Sequence, residues 1–188
     1  SFEVQEDALG IAHALSLAED FVGDDSCAVI LGDNIFEDDF TEAIQTFERG
    51  GRIFAKEVVD PKRFGVVEFD QENRVLSIEE KPEAPKSNFA IPGVYIFDQE
   101  AVAIAKSLSP SQRGELEITD VQRHYLEKQS LDVRVISGAW FDMGTYESLF
   151  EAGAFAREKN LGAQSHPMIN EAIAEFNAEY KKIVSLKK

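Results

Sequence analysis

At 188 residues, with 44% hydrophobic and 29% charged side chains, the chain has the size and composition of one globular domain with a substantial core. A formal net charge of −16 opposes nucleic acid and anionic membranes as partners, and no apolar run reaches membrane-spanning length. Cys27 is the single cysteine, which excludes an internal disulfide; no charged-then-apolar leader is visible, so a cytoplasmic protein is expected.

Residues Ser1 to Gln5 alternate like the end of a strand, and Glu6 to Gly10 read as a loop. From Ile11 to Phe21 the apolar positions Ile11, Ala14, Leu15, Leu17, Ala18 and Phe21 fit a helix packed on a sheet. His13 lies in that helix and reads as a helix-lining side chain with no special role. Cys27 to Leu31 is an unbroken small or apolar run that ends in Gly32-Asp33-Asn34, the pattern of a parallel strand buried on both faces. Buried there, Cys27 reads as a core residue and not a nucleophile. A carboxylate at such a strand end is well placed to hold a divalent cation on phosphate oxygens, although Asp33-Asn34 also fits a plain strand-ending turn and cap.

A helix is expected over Phe40 to Arg49, capped by Thr41, and a strand over Arg52 to Val58. Val66–Phe69 and Val75–Ile78 flank Asp70-Gln71-Glu72-Asn73 as a hairpin, and Pro82–Pro92 reads as a long loop or lid. Val94 to Asp98 is a strand, Gln99 to Leu108 and Ile118 to Lys128 are helices, and Val133 to Ile136 is a further strand. Tyr146 to Lys159 is helical, with Leu149, Phe150, Ala152, Gly153 and Ala156 inward. After Gly162, Ile169, Ala172, Ile173, Phe176, Tyr180 and Ile183 recur at spacings of three and four, an amphipathic helix that needs a surface to cover. The expected division is a core over 1–161 and a tail over 162–188.

Asp33 and Asp142 each follow an apolar strand, and two carboxylates in one crevice could share one Mg²⁺ that grips phosphates. Lys81 and Arg113 supply positive charge for a phosphate, and Glu80 can accept hydrogen bonds from sugar hydroxyls. Each also has a plain reading: Glu80-Lys81 as a solvated pair, Arg113 as a loop salt bridge, Asp142 as a helix cap.

Taken in order, LGDNIF (31–36), RFGVVEF (63–69), EEKP (79–82), PKSNFAIPGVYIFD (85–98), RGELEITD (113–120) and AWFDMGT (139–145) closely resemble the sugar-phosphate nucleotidyltransferases, in particular their glucose-1-phosphate thymidylyltransferase branch. The resemblance runs from Val4 to about Leu161. It implies an α/β, three-layer, Rossmann-like fold around a mixed, mainly parallel sheet. It further implies Asp33 and Asp142 as Mg²⁺ ligands and, with Lys81, as the catalytic residues. Gln5 is implied to read the thymine ring, with Gly10 letting the base approach the backbone. Phe64, Gly65, Glu80, Lys81, Ile91, Arg113 and Trp140 are implied to form the sugar-phosphate site. Phe64 stands where many members have Tyr, which removes a hydroxyl.

The implied reaction is attack of a sugar-1-phosphate oxygen on the α-phosphorus of dTTP, releasing pyrophosphate and giving dTDP-glucose for deoxysugar and cell-envelope polysaccharide synthesis. The family's Gly-x-Gly-Thr-Arg-Leu loop and a later Lys-Pro segment are not in the 188 residues. The expectation is therefore an N-terminally truncated member with impaired turnover, a bared sheet edge and self-association as a homo-oligomer. The rival expectation is a non-catalytic binding or oligomerisation module derived from the same family.

Overall fold

The structure, a computed structural model, describes residues 3–159. The amphipathic segment expected between Ile169 and Ile183 lies outside the described residues. In chain order the elements are α1 (Ile11–Leu17), α2 (Glu19–Val22), β1 (Cys27–Ile30), β2 (Asn34–Phe36), α3 (Thr41–Gln45), β3 (Gly51–Glu57), β4 (Gly65–Phe69) and β5 (Val75–Glu80). They continue with β6 (Phe89–Ile91), β7 (Val94–Phe97), α4 (Glu100–Ser107), α5 (Ile118–Glu127), β8 (Leu131–Val135), β9 (Trp140–Asp142) and α6 (Tyr146–Glu158). The chain divides into two compact units, Ser1–Asp142 and Met143–Lys188.

In the first unit, β3 and β7 alternate between two apolar layers. Ile53 and Ala55 of β3, with Tyr95 and Phe97 of β7, join a core with Ala12 and Leu15 of α1, Ala101 and Ala105 of α4, and Val121 and Tyr125 of α5. Phe54, Val94 and Ile96 point the other way, to Ile136 and to Phe40, Ala43 and Phe47 around α3. Successive side chains of a strand face opposite sides, so a strand apolar at every position must be covered on both. That yields the expected three layers.

The sheet order is β1-β7-β3-β6-β4-β5, with β8 also pairing β3, while β2 and β9 form a separate ribbon. The sheet is mixed, but its balance differs from the expectation. Among the described residues only β3–β8 is parallel, and β1–β7, β3–β7, β3–β6, β4–β6 and β4–β5 are antiparallel. One reason lies in Pro82–Pro92, read as a loop, which contains β6. Three residues suffice for it to bridge β3 and β4, a length that propensity does not reveal.

The strand from Cys27 is also not buried on both faces. Cys27 and Val29 pack toward the helical core, whereas Ala28 is exposed and Ile30 is 59% exposed. Among the described residues β1 pairs with β7 alone, and its burial alternates. The Cys27 thiol, half-buried and next to the Asp98 charge, is pushed above its ordinary pKa, first by burial and then by Asp98, which fits an unreactive thiol.

Two local expectations shift at their boundaries, and a third is met. The helix from Ile11 breaks at Ala18 into α1 and α2. The helix expected over Phe40–Arg49 is only Thr41–Gln45, with Asp39 rather than Thr41 accepting the orphan N–H, that of Thr41, at 2.8 Å. The Asp70–Asn73 hairpin holds, because Asp70 accepts from the N–H groups of Glu72 and Arg74 at 3.0 and 2.9 Å while Asn73 takes a positive φ.

In the second unit, α6 starts with a capping box in which Thr145 and Ser148 satisfy each other's backbone N–H groups. Ala152 is buried as expected, but Leu149 and Phe150 are 52% and 74% exposed, contrary to the inward reading; apolar spacing marks a face without saying what covers it. Among the described residues no helix is long and apolar enough to cross a membrane.

Arg52, buried at 6% exposure on β3, forks onto Asp132 of β8 at 2.8–3.0 Å and reaches the carbonyl of Ala43. The turn entering β3 is fixed by Gly50, whose φ is +83° and whose missing Cβ would lie 2.2 Å from the Ser130 carbonyl oxygen. Gly50→Ala therefore meets both strain and a backbone clash, and should lower stability by about 1–3 kcal/mol or more, read from urea unfolding.

Candidate active site

The cleft of interest, about 240 Å³, lies within the first unit at the end of β1. Four pieces of chain build it. Leu31, Asp33 and Asn34 follow β1; Arg63, Phe64 and Gly65 lead into β4; Glu80 and Lys81 leave β5; and Ile118, Thr119 and Gln122 come from α5. Trp140 and Asp142 of β9, Ile91, Gly93, Tyr95 and Ile11 complete the lining.

The two carboxylates expected to work together are brought together by the small β2–β9 ribbon. Its register sets Asp142 directly opposite Asn34, the residue after Asp33. Tyr95, buried in the cleft wall, has its pKa driven well up, first by burial and then by the charges of Glu80, Asp33 and Asp142. One buried phenol thus senses three carboxylates. Among the described residues no group of three or more His, Cys, Asp or Glu forms a metal cluster. A pair of carboxylates is nevertheless the donor set that suits Mg²⁺, which keeps several waters and takes substrate phosphates as further ligands.

Asn34 closes the strand-ending turn at Gly32-Asp33, its N–H donating to the Leu31 carbonyl at 3.2 Å. Its Oδ1 accepts from the Gly93 N–H at 3.0 Å and the Trp140 indole N–H at 2.7 Å, and its Nδ2 donates to Asp33 Oδ1 at 2.9 Å. That is a brace between β1, β7 and β9, not a helix cap. Nor does Asp142 cap α6, since Thr145 does so.

Glu80 is a perturbed carboxylate of the site. Its side chain is 18% exposed, and its pKa is raised by burial and by the Glu117 charge, against the opposing pull of the Thr119 hydroxyl, Lys81 and Arg113. Thr119 donates to its Oε2 at 3.1 Å. Lys81 Nζ stands 4.0 Å from Oε1 on a residue with φ of +42°, its N–H tied to the Phe64 carbonyl at 3.0 Å. Arg113 reaches Glu80 at 3.4 Å but also Glu117 at 3.2 Å and Glu115 at 3.0 Å. It is not part of the cleft lining itself but stands behind Glu80, paired with three glutamates.

Phe64 stacks at a tilt on Trp140, ring centroids 5.0 Å apart, and Arg63 lies over Phe64 at 5.7 Å. Gly65 leaves the floor open, because a Cβ there would meet Thr119 Cγ2 at 3.0 Å and Glu80 Oε2 at 3.5 Å. Ile91 lines the same floor. Gln5 and Gly10 stand apart from this lining. Gln5 Nε2 donates to the Gly10 carbonyl at 3.1 Å and meets His13 Nδ1 at 2.9 Å, so His13 has a structural partner. Gly10, with φ of +101°, sits so close to the Leu116 carbonyl that a Cβ would come within 2.5 Å of it.

Five polar lining residues are not singled out by the sequence reading: Asn34, Arg63, Tyr95, Thr119 and Gln122. Four of them lie inside the quoted motifs. Gln122 offered its own signal, a polar residue among Ile118, Val121 and Tyr125 on the buried face of a helix.

The cleft is rich in acceptors, lies at a strand end, is floored by Gly65 and carries Arg63 and Lys81 in its lining, all within an α/β fold. Comparison with known families makes this specific: residues 1–159 match the Nucleotidyl transferase family, and the chain belongs to it. A glucose-1-phosphate thymidylyltransferase of Neisseria meningitidis is 47% identical over 163 residues, covering 84% of this chain and 57% of that protein. One from Mycolicibacterium smegmatis is 43% identical over 166 residues, covering 86% and 58%. Among solved structures, a Bacillus anthracis protein crystallised with sucrose, and provisionally assigned as a glucose-1-phosphate thymidylyltransferase, superposes with a TM-score of 0.77 at 46% identity over 84% of this chain and 65% of its own. A UDP-glucose pyrophosphorylase complexed with UDP-glucose gives 0.76 at 25% identity, covering 85% and 66%. The chain thus spans somewhat over half the length of the curated relatives it matches.

Gly93 is the narrowest point of the site, since a Cβ there would lie 2.7 Å from Leu31 Cδ1 and 2.9 Å from Asn34 Oδ1. Gly93→Ala should push both aside, break the brace on Trp140 and cost about 1–3 kcal/mol, measured by thermal unfolding.

Proposed function

We propose that this cleft binds a sugar 1-phosphate, glucose 1-phosphate first, and that the chain contributes it to nucleotidyl transfer from dTTP with release of pyrophosphate. The convergence of Asp33, Glu80 and Asp142 on one cleft beside Arg63 and Lys81 carries this reading. The resemblance to glucose-1-phosphate thymidylyltransferases supports the choice of sugar and base.

Glu80, held by Thr119, accepts hydrogen bonds from sugar hydroxyls, and Phe64 and Trp140 face the ring. Lys81 and Arg63 take the phosphate. Asp33 and Asp142 are the residues that would hold Mg²⁺, which when bound supplies neutralisation of phosphate charge. The reacting sugar-phosphate oxygen attacks the α-phosphorus, and the chain's part is orientation: no covalent link to the protein is needed. Gln5 and Gly10, outside the cleft lining, remain the proposed base-reading pair. The only cations lining the cleft among the described residues are Arg63 and Lys81, against three carboxylates, so the 188-residue chain should hold the sugar phosphate better than a triphosphate.

The test is calorimetric titration of glucose 1-phosphate, dTTP and UTP, each with Mg²⁺, into the chain. Binding of glucose 1-phosphate, reduced about tenfold or more by Asp33→Asn, supports the reading. Absence of binding by all three, in a folded protein, leaves a non-catalytic module as the better account.

The raised Glu80 pKa adds a pH signature. Its ionised form accepts from hydroxyls, so sugar-phosphate binding should weaken as pH falls through a value above the ordinary Glu range. Ligand-free stability should run the opposite way. A folded-state pKa raised above the unfolded one means the native state holds more protons, so the Glu80 contribution is greatest at low pH and is lost as pH rises through the folded pKa. Glu80→Gln should flatten both profiles, followed by calorimetry and by melting temperature against pH.

A further inference from the structure

Gln122 is fully buried, at 0% exposure, yet neither Nε2 nor Oε1 of its amide has a hydrogen-bond partner among the described residues. It lines the cleft one helical turn beyond Ile118 and Thr119, which line it too. The Thr119 hydroxyl donates its proton to Glu80, and it forms no hydrogen bond with the amide. Buried polar groups are almost always paired, and an amide left bare in the interior is costly. A group of that kind beside a cleft is in place for a ligand.

The chemistry of the cleft narrows what the ligand group can be. Asp33, Glu80 and Asp142, when ionised, only accept hydrogen bonds. A sugar hydroxyl that donates to a carboxylate still has lone pairs that need a donor. The Gln122 amide offers both a donor and an acceptor, and a hydroxyl is the complementary group; a phosphate oxygen, which only accepts, would leave Oε1 bare. Resting on the sugar-phosphate reading of the cleft, we propose that Gln122 is a specificity-determining residue that reads one hydroxyl of the sugar, its Nε2 donating and its Oε1 accepting.

The test uses the 188-residue chain and its Gln122→Met variant, with Gln122→Leu as a second apolar replacement. Glucose 1-phosphate and its 2-, 3-, 4- and 6-deoxy analogues are titrated with Mg²⁺ by calorimetry, and ligand-free melting temperatures are recorded. The expected result is a loss of about tenfold for glucose 1-phosphate in the variant, with one analogue bound equally by both proteins. The melting temperature should hold or rise, because an unpartnered amide has been replaced by an apolar chain. Equal losses for all five ligands, or no loss for any, would overturn the assignment and leave the amide to an internal water. A fall in ligand-free melting temperature or failure to fold in both variants would overturn it as well, since the amide would then have a structural partner. If the unsubstituted chain binds none of the five, the sugar-phosphate reading fails first and takes this assignment with it.

Discussion

Three hydrogen bonds join the ends of three strands into one wall. Leu31 N–H reaches the Gly93 carbonyl at 2.8 Å, Gly93 N–H reaches Asn34 Oδ1, and the Trp140 indole reaches the same oxygen. They close only because Gly93 has no side chain, its neighbours filling the space where a Cβ would be. Asp33 sits on the turn leaving β1, Tyr95 on β7 and Asp142 on β9, the three segments so fastened. Their mutual placement is therefore a property of rigid backbone rather than of flexible side chains, and sites on such elements keep their geometry well.

Electrostatics in the cleft derives from this placement. In a chain with a net charge of −16, burial and then the charges of Glu80, Asp33 and Asp142 raise the Tyr95 pKa, while burial and then Glu117 raise that of Glu80. Burying like charges together is unfavourable and persists where a cationic ligand or partner compensates. Lys81 and Arg113 offset part of it at Glu80.

Much of this was legible in the sequence, for unequal reasons. Six motifs in a fixed order revealed the family, and the apolar runs of β1 and β5 pointed to Asp33 and Glu80 at their ends; Asp142 instead lies on the short β9 of a separate ribbon, which no apolar run announced. The three-layer architecture followed from the apolar centre of β3, Ile53-Phe54-Ala55, and from β7, which is buried throughout. Local pattern failed where pairing decides. The strand at Cys27 is as apolar as a central strand yet among the described residues pairs on one side only, and β6 hides among prolines because its stability comes from two neighbours rather than from its own three residues. Arg113 carried the right charge, but three glutamates hold it outside the cleft lining itself. The brace made by Asn34 could not be foreseen, since its partners Gly93 and Trp140 lie 59 and 106 residues away.

The place of β3 has a consequence for how the protein is made. Its residues Gly51 to Ala55 pair with Leu131 to Val135, 80 positions later in the chain, and that pairing is also where Arg52 finds Asp132. At a synthesis rate of about 5–20 residues per second, β3 waits roughly 4–16 s on the ribosome for this partner. During that interval Ile53, Phe54 and Ala55 are uncovered along one side and the Arg52 charge is unmatched. Sheets closed by such distant partners fold slowly and only after most of the chain has emerged. β6 and β7 reach β3 earlier in synthesis, so the side that β8 covers is the last of its edges to be closed.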